Sequence, residues 1–154
     1  MTFQTVDQFI GDPHWFIPVF VVFWLVLTGL LSILGGWYTL SKQFQTSTSI
    51  DGQQFRFASG SFGRHPFPVT AYGNCLFVTV ADTGFRIAIV FPFRFLSPPI
   101  FVPWEAVAAV ESKSFLFFKY CVIRLRRGWP AIAIRGAASG SIAEMFARHA
   151  NGHR

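Results

Sequence analysis

The stretch NCLFVTVADTGFRIAIVF, residues 74–91, decides the fold of most of the chain. Leu76, Val78 and Val80 alternate with Phe77 and Thr79. After the turn signal Asp82, Thr83, Gly84, the residues Phe85, Ile87 and Ile89 alternate with Arg86 and Ala88. Side chains along a strand point to opposite faces in turn, so period-two patterning across a short polar turn predicts a hairpin with one buried face.

Downstream, the segment FPFRFLSPPIFVPW, residues 91–104, holds four prolines and cannot be a central strand throughout. A short extended piece at residues 100–102 fits between them, and residues 105–112 can form another strand. The run KSFLFFKYCVIRLRRGWPAIAIRG, residues 113–136, reads as a last hairpin. Cys121, Ile123 and Leu125 face one way, Arg124 and Arg126 the other. Arg127, Gly128, Trp129 and Pro130 make the turn, and Ile132 and Ile134 return. Ser139 or Ser141 then caps a C-terminal helix, with Glu144 three residues after Ser141 as a capping box. Ile142, Met145, Phe146 and His149 fall on its inner face.

Upstream the signal weakens. Residues 42–70 are dense in Ser, Thr, Gln and Gly; Phe55 and Phe57 suggest a short first strand, and SGSFGRHPFP, residues 59–68, reads as a loop. Before this lies WFIPVFVVFWLVLTGLLSIL, residues 15–34, with no charged residue from Pro13 to Ser41 if His14 is neutral. Twenty residues at 1.5 Å each make about 30 Å, the thickness of a bilayer's hydrocarbon core. Trp15 at one end, with Trp37 and Tyr38 at the other, matches the aromatic belts of membrane spans. A cleaved signal peptide fits less well: the first twelve residues hold Asp7 and Asp12 and no Lys or Arg, and no small-x-small cleavage site precedes a polar start.

The resulting division is a short non-cytoplasmic tail (1–14), a transmembrane helix (15–40), a linker (41–53), a β domain (54–150) and a tail (151–154). Lys42, Arg56 and Arg64 follow the span and none precedes it, so the positive-inside rule places the domain in the cytoplasm, with the N-terminus outside. On the helix, Phe16, Phe20 and Phe23 lie on a seam suited to another helix. Thr28, Ser32 and Gly36 form a small-xxx-small stripe that lets backbones approach.

Composition agrees with a membrane address. Hydrophobic residues make up 52% of the 154 and charged residues 13%, and 20 are Phe; the mean hydropathy is +0.44. This excludes disorder, a collagenous chain and a coiled coil, and argues against an ordinary soluble enzyme. Six or seven antiparallel strands closed by one C-terminal helix resemble a pleckstrin-homology-like (PH/GRAM-type) barrel. The chain is similar to uncharacterised bacterial single-pass membrane proteins that carry such a domain. Trp37, the triplet Asn74, Cys75, Leu76, the Gly84, Phe85 turn, and the run from Phe93 through Pro98 and Pro99 to Val102, Pro103 and Trp104 prompt the resemblance. It covers roughly residues 50–150 and implies a scaffold for binding lipid headgroups, peptides or protein surfaces. The basic cluster with which phosphoinositide-binding members hold phosphates is not evident in the first hairpin.

Motifs of catalysis are missing: there is no GxGxxG, GxxxxGK[ST], HExxH or CxxC. The four histidines are scattered without metal-ligand spacing, the two cysteines fall on strands, and no carboxylate has an evident acidic partner. No catalytic residue, metal or cofactor is expected. Two features can contact something. The first is Phe93, Arg94, Phe95, Pro98, Pro99 and Phe101, which meet the bilayer interface or a partner if exposed, or close the barrel core if not. The second is a basic surface: residues 42–154 hold all 13 Lys and Arg against five acids, a balance of +8, with Arg124, Arg126, Arg127 and Arg135 on the last hairpin. An anionic leaflet attracts such charges by about 1 kcal/mol each; solubility and topology control are equally served. Nucleic acid would use a basic patch too, but no stacking platform accompanies it. The sequence thus predicts a non-catalytic inner-membrane interaction or accessory subunit contacting membrane lipids and a membrane-protein partner or a second copy. An anionic-lipid-headgroup module is the alternative.

Overall fold

The structure, a computed structural model, describes residues 13–63, 70–94 and 96–152. The apolar run forms helix α1, Pro13–Leu34. By length and composition α1 can cross a membrane, a test that a signal sequence also passes. Pro18 lies inside the helix, in its second turn, where the missing amide donor removes one i→i−4 bond.

The helix does not continue to residue 40. Gly36 adopts a left-handed conformation (φ 81°) and redirects the chain into a second helix, α2, Trp37–Phe44. Trp37 and Leu40 are fully buried in the domain core, and Phe44 is half-buried against it. Trp37 is therefore a core residue and not a membrane-belt residue; its indole Nε1 donates to Pro98 O at 2.9 Å. Residues 41–44 are helical, Gln45 bridges Ile100, and Thr46 N donates to Pro99 O, so the stretch read as a linker begins inside the domain.

Seven antiparallel strands form one sheet that curls into a half-barrel. They are β1 (Gln53–Gly63), β2 (Thr70–Ala81), β3 (Gly84–Ile89), β4 (Ile100–Pro103), β5 (Val107–Phe115), β6 (Phe118–Leu125) and β7 (Ala131–Arg135). The order is β4-β3-β2-β1-β7-β6-β5. The hairpin read from residues 74–91 is present: Leu76 faces Ile89, Val78 faces Ile87 and Val80 faces Phe85, and Gly84 pairs with Ala81 as the first residue of β3. All six side chains are buried, because the period-two pattern turns one whole face inward.

Three local expectations fail. First, β1 is long, and residues 59–63 of the supposed loop are strand, paired with both β2 and β7. Gly60 permits this, since a Cβ there would lie 2.8 Å from Ala133 O. Second, residues 113–118 contain a turn: β5 and β6 form their own hairpin, closed by Leu116 and Phe117, a dipeptide without turn chemistry. Third, the C-terminal helix α3, Ala137–Gly152, begins at left-handed Gly136 rather than at a capping box. Ser139 Oγ donates to Gly136 O at 2.6 Å, Ser141 Oγ bonds Gln53, and Glu144 pairs with Arg148. α3 nonetheless closes the half-barrel with Ile142 buried and Met145 and Phe146 packed on the core. Trp104, in a short 3-10 turn, stacks between Phe85 and Phe146.

Candidate functional site

The candidate site is the junction where α1 meets the half-barrel. Trp24, Thr28, Ser32 and Gly35 recur at helical spacing and mark the face of α1 turned to the domain. Ser32 Oγ donates to Leu96 O at 2.7 Å. Thr70 Oγ1, on β2, donates to Leu31 O at 3.3 Å. The Trp24 ring lies 5.1 Å from the ring of Phe93, extending an aromatic ladder that runs from Phe16 through Phe20 to Trp24. Gly35 is needed because any side chain there would collide with Thr70.

The small-residue stripe is real, but its partner is the chain itself. Thr28 and Ser32 are buried, Thr28 Oγ1 turning back to Trp24 O at 2.8 Å. Gly36 lies beyond the end of α1 and faces Pro130. Phe16, Phe20 and Phe23 remain exposed, as do the other large residues around the helix apart from half-buried Trp24.

The aromatic-proline segment divides between two roles. Ser97, Pro99 and Ile100 are buried, and Pro98 and Phe101 are half-buried. Phe93 and Leu96 turn to α1, Arg94 is exposed, and Phe91 stands 85% exposed. Phe95 lies outside the described residues. Arg94 lies near Arg86, whose Nε is buried without a hydrogen-bond partner; burial first, then Arg94, lowers the Arg86 pKa.

The four hairpin arginines are exposed but do not form one patch. Arg124 pairs with Glu111 at 3.0 Å, beside Lys113. Arg126 and Arg127 occupy the β6–β7 turn, with Arg127 left-handed at φ 61°. Arg135 lies at the other end of β7, opposite Tyr120 and Ser59. Only Arg127 lines the cleft of about 380 Å³ at the foot of α1, with Ile33, Leu34, Thr39, Trp129 and Pro130 among its walls. The cleft is apolar on the helix side and cationic on the turn side.

Titratable groups inside the domain are quiet. Burial pushes the Cys121 thiol up to about 11 and raises Cys75 as well. Burial, with Cys75 adding to it, pushes Tyr72 up to about 12. Among the described residues no three His, Cys, Asp or Glu gather as metal ligands. Sequence reasoning missed one surface feature: Phe115, Leu116, Phe117 and Phe118 all project from the β5–β6 tip. An apolar run interrupted by no Gly, Pro, Asn or Asp reads as strand, and only the pairing register shows the turn. No family model matches the chain, and no curated protein matches it.

Proposed function

We propose that this protein is a non-catalytic, membrane-anchored interaction or accessory subunit of the bacterial inner membrane. α1 crosses the bilayer once, and a pleckstrin-homology-like domain stands at the cytoplasmic surface. The observation that carries the reading is the bond from Ser32 Oγ to Leu96 O, 64 residues apart, at the centre of a fitted helix–domain contact. A leader destined for removal gains nothing from burying Thr28 and Ser32 against the mature domain, whereas a retained anchor gains a fixed orientation. Seven antiparallel strands closed by a C-terminal helix support the pleckstrin-homology-like layout. The Lys and Arg distribution supports the cytoplasmic side.

The domain touches α1 from Trp24 onward. The twelve residues 13–24 amount to about 18 Å, short of a hydrocarbon core of about 30 Å. A full crossing therefore draws residues 91–94 and Leu96 into the bilayer interface, where Phe91 and Leu96 meet lipid and the Arg94 guanidinium reaches for headgroups. Purification of the full chain from native membranes in mild detergent tests the reading. A stoichiometric membrane-protein partner and an intact N-terminal helix by mass spectrometry are expected. A mature chain starting after residue 34 would refute the anchor.

A second reading, an anionic-lipid-headgroup module, is favoured by the cleft at the foot of α1, where Arg127 faces the lipid-exposed residues Ile33 and Leu34. A purified monomer or homo-oligomer that retains anionic phospholipid, and loses it on Arg127→Gln but not Arg135→Gln, would favour this reading over the first.

A further inference from the structure

The longest run of consecutive exposed apolar residues on the described surface of the domain is Phe115, Leu116, Phe117 and Phe118, exposed by 68, 78, 97 and 64%. Leu116 and Phe117 are the two-residue turn of the β5–β6 hairpin, and Phe115 and Phe118 are the strand ends paired beneath it. Leu116 is held in the left-handed region at φ 55°. Gly, Asn or Asp is preferred there, so local backbone chemistry works against a leucine. Solubility works against all four, since exposed apolar runs of this kind mark a contact surface. Neither the fold nor the helix–domain junction uses them.

We propose that this tip is a second membrane contact, inserting into the interface of the same leaflet that α1 leaves. The inference rests on the anchor reading above. Three observations select lipid as the occupant. The domain cannot drift from the membrane, because only Gly35 and Gly36 separate α1 from the buried start of α2. The hairpin's base is at the anchor: residues 127–130, just beyond β6, line the cleft with Ile33 and Leu34. The eight residues of β6, about 27 Å, then set how far the tip reaches from that base. Finally, the tip is flanked by exposed Lys119 and by Lys113, which also pairs with Glu111 at 3.4 Å, an aromatic-plus-basic combination that suits an anionic bilayer interface. A fluid bilayer takes in such a projection without a preformed pocket, which a protein partner would need.

The test is photo-crosslinking in membranes of cells expressing the full chain, with p-benzoylphenylalanine placed in turn at Phe117, at Val19 on α1, and at exposed Arg148 on α3. Irradiation should give phospholipid adducts at 117 and at 19, and roughly tenfold less at 148. Lipid adducts at 19 with a protein adduct, or none, at 117 would overturn the membrane-contacting tip and leave the anchor standing. Absence of lipid adducts at 19 would overturn the anchor itself.

Discussion

Ser32 Oγ and the carbonyl oxygen of Leu96 lie 2.7 Å apart, and their hydrogen bond joins an otherwise lipid-like helix to an irregular loop of the β domain. Ser32 is fully buried, so this bond cannot be exchanged for one to water without opening the junction. It makes α1 part of the folded domain rather than a leash.

Replacing Ser32 with Leu removes the donor and forces a larger side chain into the contact. Leaving the Leu96 carbonyl unpaired costs about 1–3 kcal/mol. Residues 91–97 should then be cleaved faster in limited proteolysis of the detergent-solubilised chain, with membrane integration unchanged. Equal protection in the variant would mean that the junction does not hold the loop.

Gly36 turns α1 into α2 at φ 81°, and a Cβ there would meet the Pro130 ring at 2.8 Å. Gly36→Ala should destabilise the domain by about 1–2 kcal/mol from the left-handed backbone alone, with the Pro130 clash adding to it. Thermal unfolding in detergent, read by near-ultraviolet circular dichroism, would show a lowered midpoint.

Trp104 separates packing from hydrogen bonding. Its ring fills the space between Phe85 and Phe146, and Nε1 donates to Ala81 O at 3.1 Å. Trp104→Ala should cost about 3–5 kcal/mol. Trp104→Phe keeps most of the contact and loses about 1–3 kcal/mol through the orphaned carbonyl. Denaturant midpoints should therefore fall in the order wild type, Phe, Ala; equal Phe and Ala variants would refute the packing account.

The stability of the domain should decline at alkaline pH. Burial raises Cys121 from 9.0 to about 11 and Tyr72 from 10.0 to about 12. Above the unfolded-state values the unfolded chain releases these protons first, so stability is fully present below about pH 9 and is lost as pH rises to about 12. Denaturant midpoints measured across that range should decline, and Tyr72→Phe should make the decline shallower. A flat profile would show that neither group is buried in the folded protein.

Several features were legible in the residues alone. Alternation through residues 76–89 specified a hairpin and its buried face, and the register that pairs them keeps six apolar side chains from water. Twenty apolar residues specified a helix long enough to cross a bilayer. Ile142, Met145 and Phe146 marked the inner face of the closing helix at helical spacing.

Only the tertiary structure decided what the small residues of α1 pack against. The stripe of Thr28, Ser32 and Gly36 states that a surface comes close; it carries no information about whether that surface is another helix or the chain's own β2, Phe93 and Leu96, nor that Gly35 and not Gly36 meets Thr70. Trp37 is likewise equally at home in a membrane belt and in a core, and the turn at Gly36 settles it by pointing the indole at Phe62, Tyr72 and Pro98. The Leu116, Phe117 tip has no local turn signal at all; it exists because cross-strand pairing of Val107–Phe115 with Phe118–Leu125 leaves two residues to reverse the chain. Local pattern determines faces and periods, whereas long-range pairing determines which faces meet.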